Sequence, residues 1–316
     1  MSIYPVWDDR EIHDNWAGLT VDPTTFHIGS KSFYEYMPIM HTIIPVSKRE
    51  CIAPPQFKVV HWGKDIDLIF IDTRSCRSGD IPDISPRVCL DPRWGHPDFA
   101  PNLPVAARKL FAPLLTPDPP TGCLAAINDP TRTLLGSTQK SLFKEALLES
   151  HATFKFVISS VSIQQIYTQP YDSWEGYSAE RSEILKFIRD NHINNVIFLT
   201  TDLHLNLMNE VSIDHVTDHT PVAYEFITGP IAQFTDRQKI FNALGTTIGP
   251  KAVDAKEQIL TRFVGADCRN LDTLSYGSVQ VDPINGKAII SLKDENGKTI
   301  HDDLNPTIAC TKTFSR

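Results

Sequence analysis

The strongest constraint on the fold is a pair of apolar runs separated by one amphipathic stretch. FKFVISSV (154–161) and VIFLTT (196–201) read as buried strands, and SAERSEILKFIRDN (178–191) lies between them. In that stretch Ile184, Leu185 and Ile188 share one helical face, and Ser178 is a plausible N-cap. A second such face precedes the first run, in STQKSLFKEALLES (137–150), through Leu142, Phe143, Ala146 and Leu147. DLIFIDTR (67–74) and YEFIT (224–228) are two further strand-like runs. Helix alternating with strand requires crossover connections, so the chain is expected to be α/β with a sheet that is at least partly parallel.

The C-terminal part changes period. SVQVDPINGKAIISLKDENGKTI (278–300) alternates every second residue, with Asn285-Gly286 and Asn296-Gly297 as turn signals. This predicts antiparallel hairpins over about 272–300, at the edge of a second sheet. Eleven prolines between 82 and 130 predict a stiffened surface excursion, with a short helix at PVAARKLFAPLL (104–115).

At 316 residues and 41% hydrophobic content the chain can bury a sizeable core. A net charge of −8 argues against a nucleic-acid surface, which needs a basic stripe. No stretch approaches the ~20 apolar residues of a membrane span. The first residues, MSIYPVWDDREIHDNW, show no basic segment followed by an apolar one. As written, the chain is expected in the cytoplasm; a start further upstream would allow export. Six cysteines (51, 76, 89, 123, 268, 310) have no CxxC spacing and are expected to be buried thiols.

Chemistry-bearing residues gather after three apolar segments. YPVW (4–7) precedes Asp8, Asp9, Arg10, Glu11, His13 and Asn15; DLIFI (67–71) precedes Asp72, Arg74 and Arg77; VIFLTT precedes Asp202, His204 and Asn206. In open α/β sheets, ligands bind beyond the carboxyl ends of the strands. If the three segments are parallel neighbours, carboxylates, imidazole and guanidinium meet in one cleft. Carboxylate and imidazole suit a hard or borderline cation, and arginines suit a phosphoryl group. Duller roles exist for each. Asp72 could cap a turn, the arginines could pair with acids, and His13, His192, His215 and His219 fit surface or structural positions.

These blocks resemble a known family. PVWDDREIHDNWAG (5–18) is similar to the WDDHE…NWAG motif of PhoD-like alkaline phosphatases, and FIDTRSCRS (70–78) to DTRSYRS. LLGSTQKSLFKEALLESHATFKFVISSV (134–161), SWEGYSAERSEILKFI (173–188), FLTTDLHLN (198–206), EFITGPIA (225–232) and DTLSYGSVQV (272–281) follow in family order. The resemblance implies one domain over 1–316 with a calcineurin-like metallophosphatase fold. Two mixed β-sheets would pack face to face with flanking helices, the first strands lacking. It also implies hydrolysis of phosphate mono- or diesters with metal ions, iron and calcium.

Carried over by position, Asp9, Asp202 and His204 fall on metal-site positions, and His204 is also assigned a catalytic role. Asn15 falls in the Asn-rich segment and is grouped with Arg74 and Arg77 as phosphate-binding; for the arginines the contact is inferred from guanidinium chemistry. Arg10 stands at the catalytic position where the family motif has histidine. An arginine cannot serve as a general acid, since its pKa exceeds ~12, but it can stabilise an anion. The family's LGDxxY block has no counterpart; Gly79-Asp80 follows Ser78 in a loop-like stretch. A weakened metal site and an exposed sheet edge are therefore expected. They leave open a non-catalytic anion-binding protein, half of a split phosphatase, or a second chain covering the edge.

Overall fold

The computed structural model describes residues 2–39, 56–93 and 95–316. The helices are α1 (Pro23–Tyr36), α2 (Ile81–Ile84), α3 (Val105–Arg108), α4 (Cys123–Ile127), α5 (Gly136–Glu149), α6 (Ser178–Asp190) and α7 (Asp236–Ile259). The strands are β1 (Lys58–Trp62), β2 (Ile66–Phe70), β3 (Leu90–Asp91), β4 (His96–Pro97), β5 (Phe154–Ile158) and β6 (Val196–Thr200). After them come β7 (Asn206–Val211), β8 (Ala223–Ile227), β9 (Cys268–Asn270), β10 (Ser275–Asp282), β11 (Lys287–Asp294) and β12 (Thr311–Ser315).

Seven strands form one mixed sheet in the order β1-β2-β5-β6-β8-β7-β9. The four apolar runs are its parallel centre, β2 beside β5, β5 beside β6 and β6 beside β8. One face is covered by helices. Phe143 and Leu147 of α5, with Ile184, Leu185 and Ile188 of α6, pack on Ile69, Val157 and Phe198. The other face meets a second sheet of order β10-β11-β12. There Phe154, Phe156, Ile197 and Phe226 pack against Ala288, Ile290 and Leu292 of β11. Two sheets thus lie face to face with helices outside. The second is purely antiparallel, as its period-two pattern and Asn-Gly turns require.

Four expectations are corrected. YPVW (4–7) is not a strand but an irregular segment. Trp7 is anchored there by side chains: its backbone N–H donates to Gln56 Oε1 at 3.1 Å and its indole N–H to Asp72 Oδ1 at 3.1 Å. Ser178 does not cap α6; Tyr177 holds the cap position, and the Ser178 hydroxyl donates to the Ile127 carbonyl. The Pro-rich stretch is only partly superficial. Ala100, Leu103, Phe111 and Leu115 join one buried cluster with Leu207, Ile227 and Val253.

The cysteines are the fourth correction. Cys89 pairs with Cys123 and Cys268 with Cys310, and Cys76 is also disulfide-bonded; Cys51 lies outside the described residues. Their sequence separations of 34 and 42 residues leave no local spacing to betray them. Cys268 and Cys310 tie β9 to the segment entering β12, so one bridge staples the two sheets together. No helix among the described residues is long and apolar enough to cross a membrane.

A covalent link across a loop of this length chiefly restricts the unfolded chain. Replacing Cys268 and Cys310 together by alanine should cost about 2–4 kcal/mol, read as a lower urea midpoint with a slope that rises rather than falls, because the freed unfolded chain exposes more surface. An unchanged midpoint would mean that the staple carries no stability.

Candidate metal and phosphate site

The site begins with how segment 5–18 is held. Gly18 donates its N–H to the Arg74 carbonyl at 2.9 Å, and a Cβ at Gly18 would lie 1.8 Å from the Ser75 carbonyl oxygen. Only glycine allows this approach, so the NWAG and DTRS blocks dock backbone to backbone. Trp7 and Trp16 are buried edge to face at 5.2 Å and wedge the segment in place. Trp16 also donates its indole N–H to the Asp8 carbonyl at 2.6 Å. Asp8 and Asp9 are thereby set over the ends of the parallel strands.

Asp202 and His204 follow β6, and both adopt positive φ, 73° and 57°. For residues other than glycine that conformation is uncommon and marks a constrained turn, often at functional sites. Ligand atoms of Asp8, Asp9 and Asp202 lie within 4.8 Å of one another. His204 lines the same cavity of about 650 Å³. Its Nδ1 bonds the Phe234 carbonyl, which can only accept, so Nδ1 carries a proton and Nε2 is the ring nitrogen left to face another partner. That orientation is the usual one for a metal-ligating histidine.

The electrostatics show how crowded this corner is. Burial pushes the Asp8 carboxyl up to about 6, with Asp172 and Asp9 adding to it and Arg74 opposing. Burial likewise raises Asp9, again against Arg74. Asp202 is raised well above the usual carboxylate range by burial, then by the charges of Asp8 and Asp172. Three carboxylates that resist joint ionisation, beside an oriented imidazole, form a donor set that fits a hard or borderline cation.

Not every expected residue reaches the cavity. Arg74 is fully buried and forked between two carboxylates: Nη2 lies 2.6 Å from Asp8 Oδ1, and Nη1 and Nη2 each 2.8 Å from Asp172. Arg77 is buried too, paired with Asp80 and Asp172. The expected phosphate contact of Arg74 and Arg77 is not what this geometry shows: both guanidinium groups are buried against Asp8, Asp80 and Asp172, and neither lines the cavity. Burial opposes ionisation of Asp172, but the two arginines hold it below the usual carboxylate range.

Arg10 points to solvent, 2.8 Å from Asp14, with 75% of its side chain exposed, and Asn15 is exposed at a turn with φ 52°. Neither lines the cavity. Asp72 caps the turn after β2, accepting from the backbone of Arg74 and Ser75 at 3.0 and 2.9 Å. Asp80, of the Gly-Asp pair, serves Arg77.

Two contributors were visible after the apolar segments but were not assigned to the site. Asp8 was visible as half of an Asp doublet, yet nothing in the doublet says that both members face the cavity. Asn206 carries no charge to flag it, but it stitches the cavity wall. Its Oδ1 accepts from the Gly229 N–H at 2.9 Å and from the Ser275 hydroxyl, and its Nδ2 donates to the Thr273 carbonyl at 2.9 Å.

With this geometry established, comparison with known proteins assigns the family. The model of the family described as PhoD-like phosphatase matches residues 1–281. The chain belongs to the PhoD-like phosphatase family. Alkaline phosphatase D of Bacillus subtilis (strain 168) is 25% identical over 225 residues, covering 66% of this chain and 32% of that protein. A solved structure, "Structure of PhoD", aligns with TM-score 0.62 at 18% identity, over 98% of this chain and 52% of that one. This PhoD-like chain thus spans about a third of the curated relative's length and about half of the solved structure's.

The raised Asp8 makes a signed prediction for the metal-free protein. A carboxyl whose pKa is raised on folding supports the fold below its unfolded value and loses that support as pH climbs through the folded value. The window for Asp8 runs from 3.8 to about 6. Asp8→Asn should therefore shrink the fall in unfolding free energy between pH 4 and 7 by up to about 3 kcal/mol, measured by urea titration at each pH. An unaltered pH profile would show that Asp8 is not held in this environment.

Proposed function

We propose that this chain hydrolyses phosphate mono- or diesters with the help of a cation held by Asp8, Asp9, Asp202 and His204. The observation that carries this reading is the convergence of three carboxylates and an oriented imidazole at one cavity, in a chain of the PhoD-like family. Iron with calcium is the pair that the resemblance implies, and oxygen plus imidazole donors suit both. A bound cation would supply Lewis acidity toward the phosphoryl oxygen and an acidified water.

The chain's own residues set the stage. Arg74 holds Asp8 by its Oδ1 and leaves the other carboxylate oxygen for the cavity. The Phe234 carbonyl fixes the tautomer of His204, whose Nε2 can bind the cation or exchange a proton with substrate. Arg10, on its exposed side chain, is assigned an outer role, attracting an anionic ester toward the cavity mouth.

The disulfides also bear on location. Such bonds persist in oxidising compartments, so we assign the protein to one outside the reducing cytoplasm. Free thiols at these positions in protein taken from its native source would contradict that assignment.

Turnover of aryl phosphate mono- and diesters should require added iron, calcium, manganese or zinc and cease with chelator. Asp202→Ala should lower kcat/KM by about 10²-fold or more, equal to about 3 kcal/mol, while Arg10→Ala leaves kcat within a few-fold. Phosphate binding seen by calorimetry without turnover would instead make this a non-catalytic anion-binding protein.

A further inference from the structure

Helix α7 is not one straight rod. Asp236 and Lys256 are 20 positions apart, which is about 30 Å along a continuous helix, yet Lys256 Nζ donates to Asp236 Oδ1 at 2.7 Å. The chain therefore reverses between them. Gly245 lies inside the helix with φ 68° and ψ −177°, a conformation essentially confined to glycine, and divides it into two arms. The arms pack on each other. A Cβ at Gly249 would lie 3.4 Å from the Phe241 Cα and ring, two residues that a continuous helix would set about 12 Å apart.

The ion pair that pins the two arms is buried, its side chains 7% exposed for Asp236 and 2% for Lys256. Among the described residues neither joins another ion pair, and Asp236 Oδ2 has no hydrogen-bond partner. Val253, Ile259 and Leu260 of the second arm and its continuation belong to a buried apolar cluster. Relative to an apolar pair, such an ion pair adds little net stability, but either charge left alone there is costly. Its effect is to specify where residue 236 sits.

Residue 236 in turn holds His204. The Asp236 N–H donates to the His204 carbonyl at 2.7 Å, and the Phe234 carbonyl accepts from the imidazole Nδ1. Segment 234–236 thus grips both the backbone and the ring of one residue, whose own φ of 57° is uncommon outside glycine. Two further ties assist. The Thr235 hydroxyl donates to Asp272 at 2.7 Å and the Arg237 N–H to the Leu271 carbonyl at 3.1 Å. Asp272 is 41% exposed, so water competes for it, whereas water cannot replace a partner of the buried pair.

We infer that Lys256 is a positioning residue for His204, acting through Asp236 on the strap 234–236. Neither Lys256 nor Asp236 lines the cavity. The inference rests on the reading of His204 as a cation ligand given above. Loss of Lys256 leaves the Asp236 carboxylate buried without its cation. The start of α7 then moves toward water and draws the Phe234 carbonyl and the Asp236 N–H away from His204. Freed of that carbonyl, the ring is no longer held to a proton on Nδ1 and can carry it on Nε2, which closes that nitrogen to a cation.

The test reads the nitrogen-15 resonances of His204 in the full chain, with chelator present, at about pH 8, where an ordinary histidine is neutral. His204→Gln assigns the signals. Wild-type protein should show the Nδ1–H form. Lys256→Met should lower the ratio of Nδ1–H to Nε2–H by about tenfold or more, and should weaken manganese binding, read by calorimetry once chelator is removed, by about tenfold. Lys239→Met, on the exposed side of the first arm, should change neither. In an Asp236→Asn background, Lys256→Met should have less than about a twofold effect on either reading, because it acts through Asp236. Unchanged His204 resonances in folded Lys256→Met, or an equal effect of Lys256→Met in both backgrounds, would overturn the inference. Should Lys256→Met fail to fold, Lys256→Gln, which still donates a hydrogen bond to Asp236, is read in the same way. Turnover enters none of these readings. Absent hydrolysis would count against the proposed function alone, and an unmoved His204 against the role of Lys256 alone.

Discussion

The Arg74 guanidinium, buried between Asp8 and Asp172, is the interaction on which the rest of the site depends. It binds three parts of the chain: the segment after Trp7, the turn after β2, and the short helical turn before α6. Removing one partner of such a buried pair leaves an uncompensated charge and typically costs about 3–5 kcal/mol. Its value here is positional. Asp8 is fixed where it crowds Asp9 and Asp202, and that crowding is what a cation would relieve.

A strand end that must both terminate a sheet and present ligands is under local strain. Asp202 and His204 each take a left-handed backbone conformation to turn out of β6, and the wall behind them is held by Asn206. Gly229 lies against that asparagine so closely that a Cβ would approach its amide nitrogen to 2.9 Å. The TTDLHLN block is thus one unit. Its acid and imidazole face the cavity, and its amide secures the loop after β8 and the start of β10. Chemistry and architecture share the same seven residues, so a change at Asn206 would reach the ligands without touching them.

Much of this was legible in the sequence. Long apolar runs separated by helical faces gave the parallel centre, because a buried strand admits few polar residues, and the Asn-Gly turns gave the hairpins. Asp202 and His204 sit where the rule that ligands gather beyond strand ends puts them, whereas Asp9 reaches them from an irregular segment that the rule does not cover. What stayed hidden were partnerships between distant residues. Arg74 finds Asp172 98 positions away, and nothing local marks that carboxylate as its partner. Arginines in a motif look the same whether they will bind phosphate or a buried acid, and here burial decided the matter. The cysteines failed for the same reason, since their pairing depends on which strands become neighbours. YPVW failed because a short apolar run with one proline carries no information on whether its backbone will pair with a sheet or with side chains.

The central claim, that Asp8, Asp9 and Asp202 surround a cation, is tested most directly by anomalous scattering from crystals of the chain grown with manganese. The account predicts a peak within coordination distance of oxygens from all three carboxylates, and no peak there in Asp202→Asn. Manganese bound elsewhere, with the three carboxylates turned apart or protonated and bonded to one another, would contradict it.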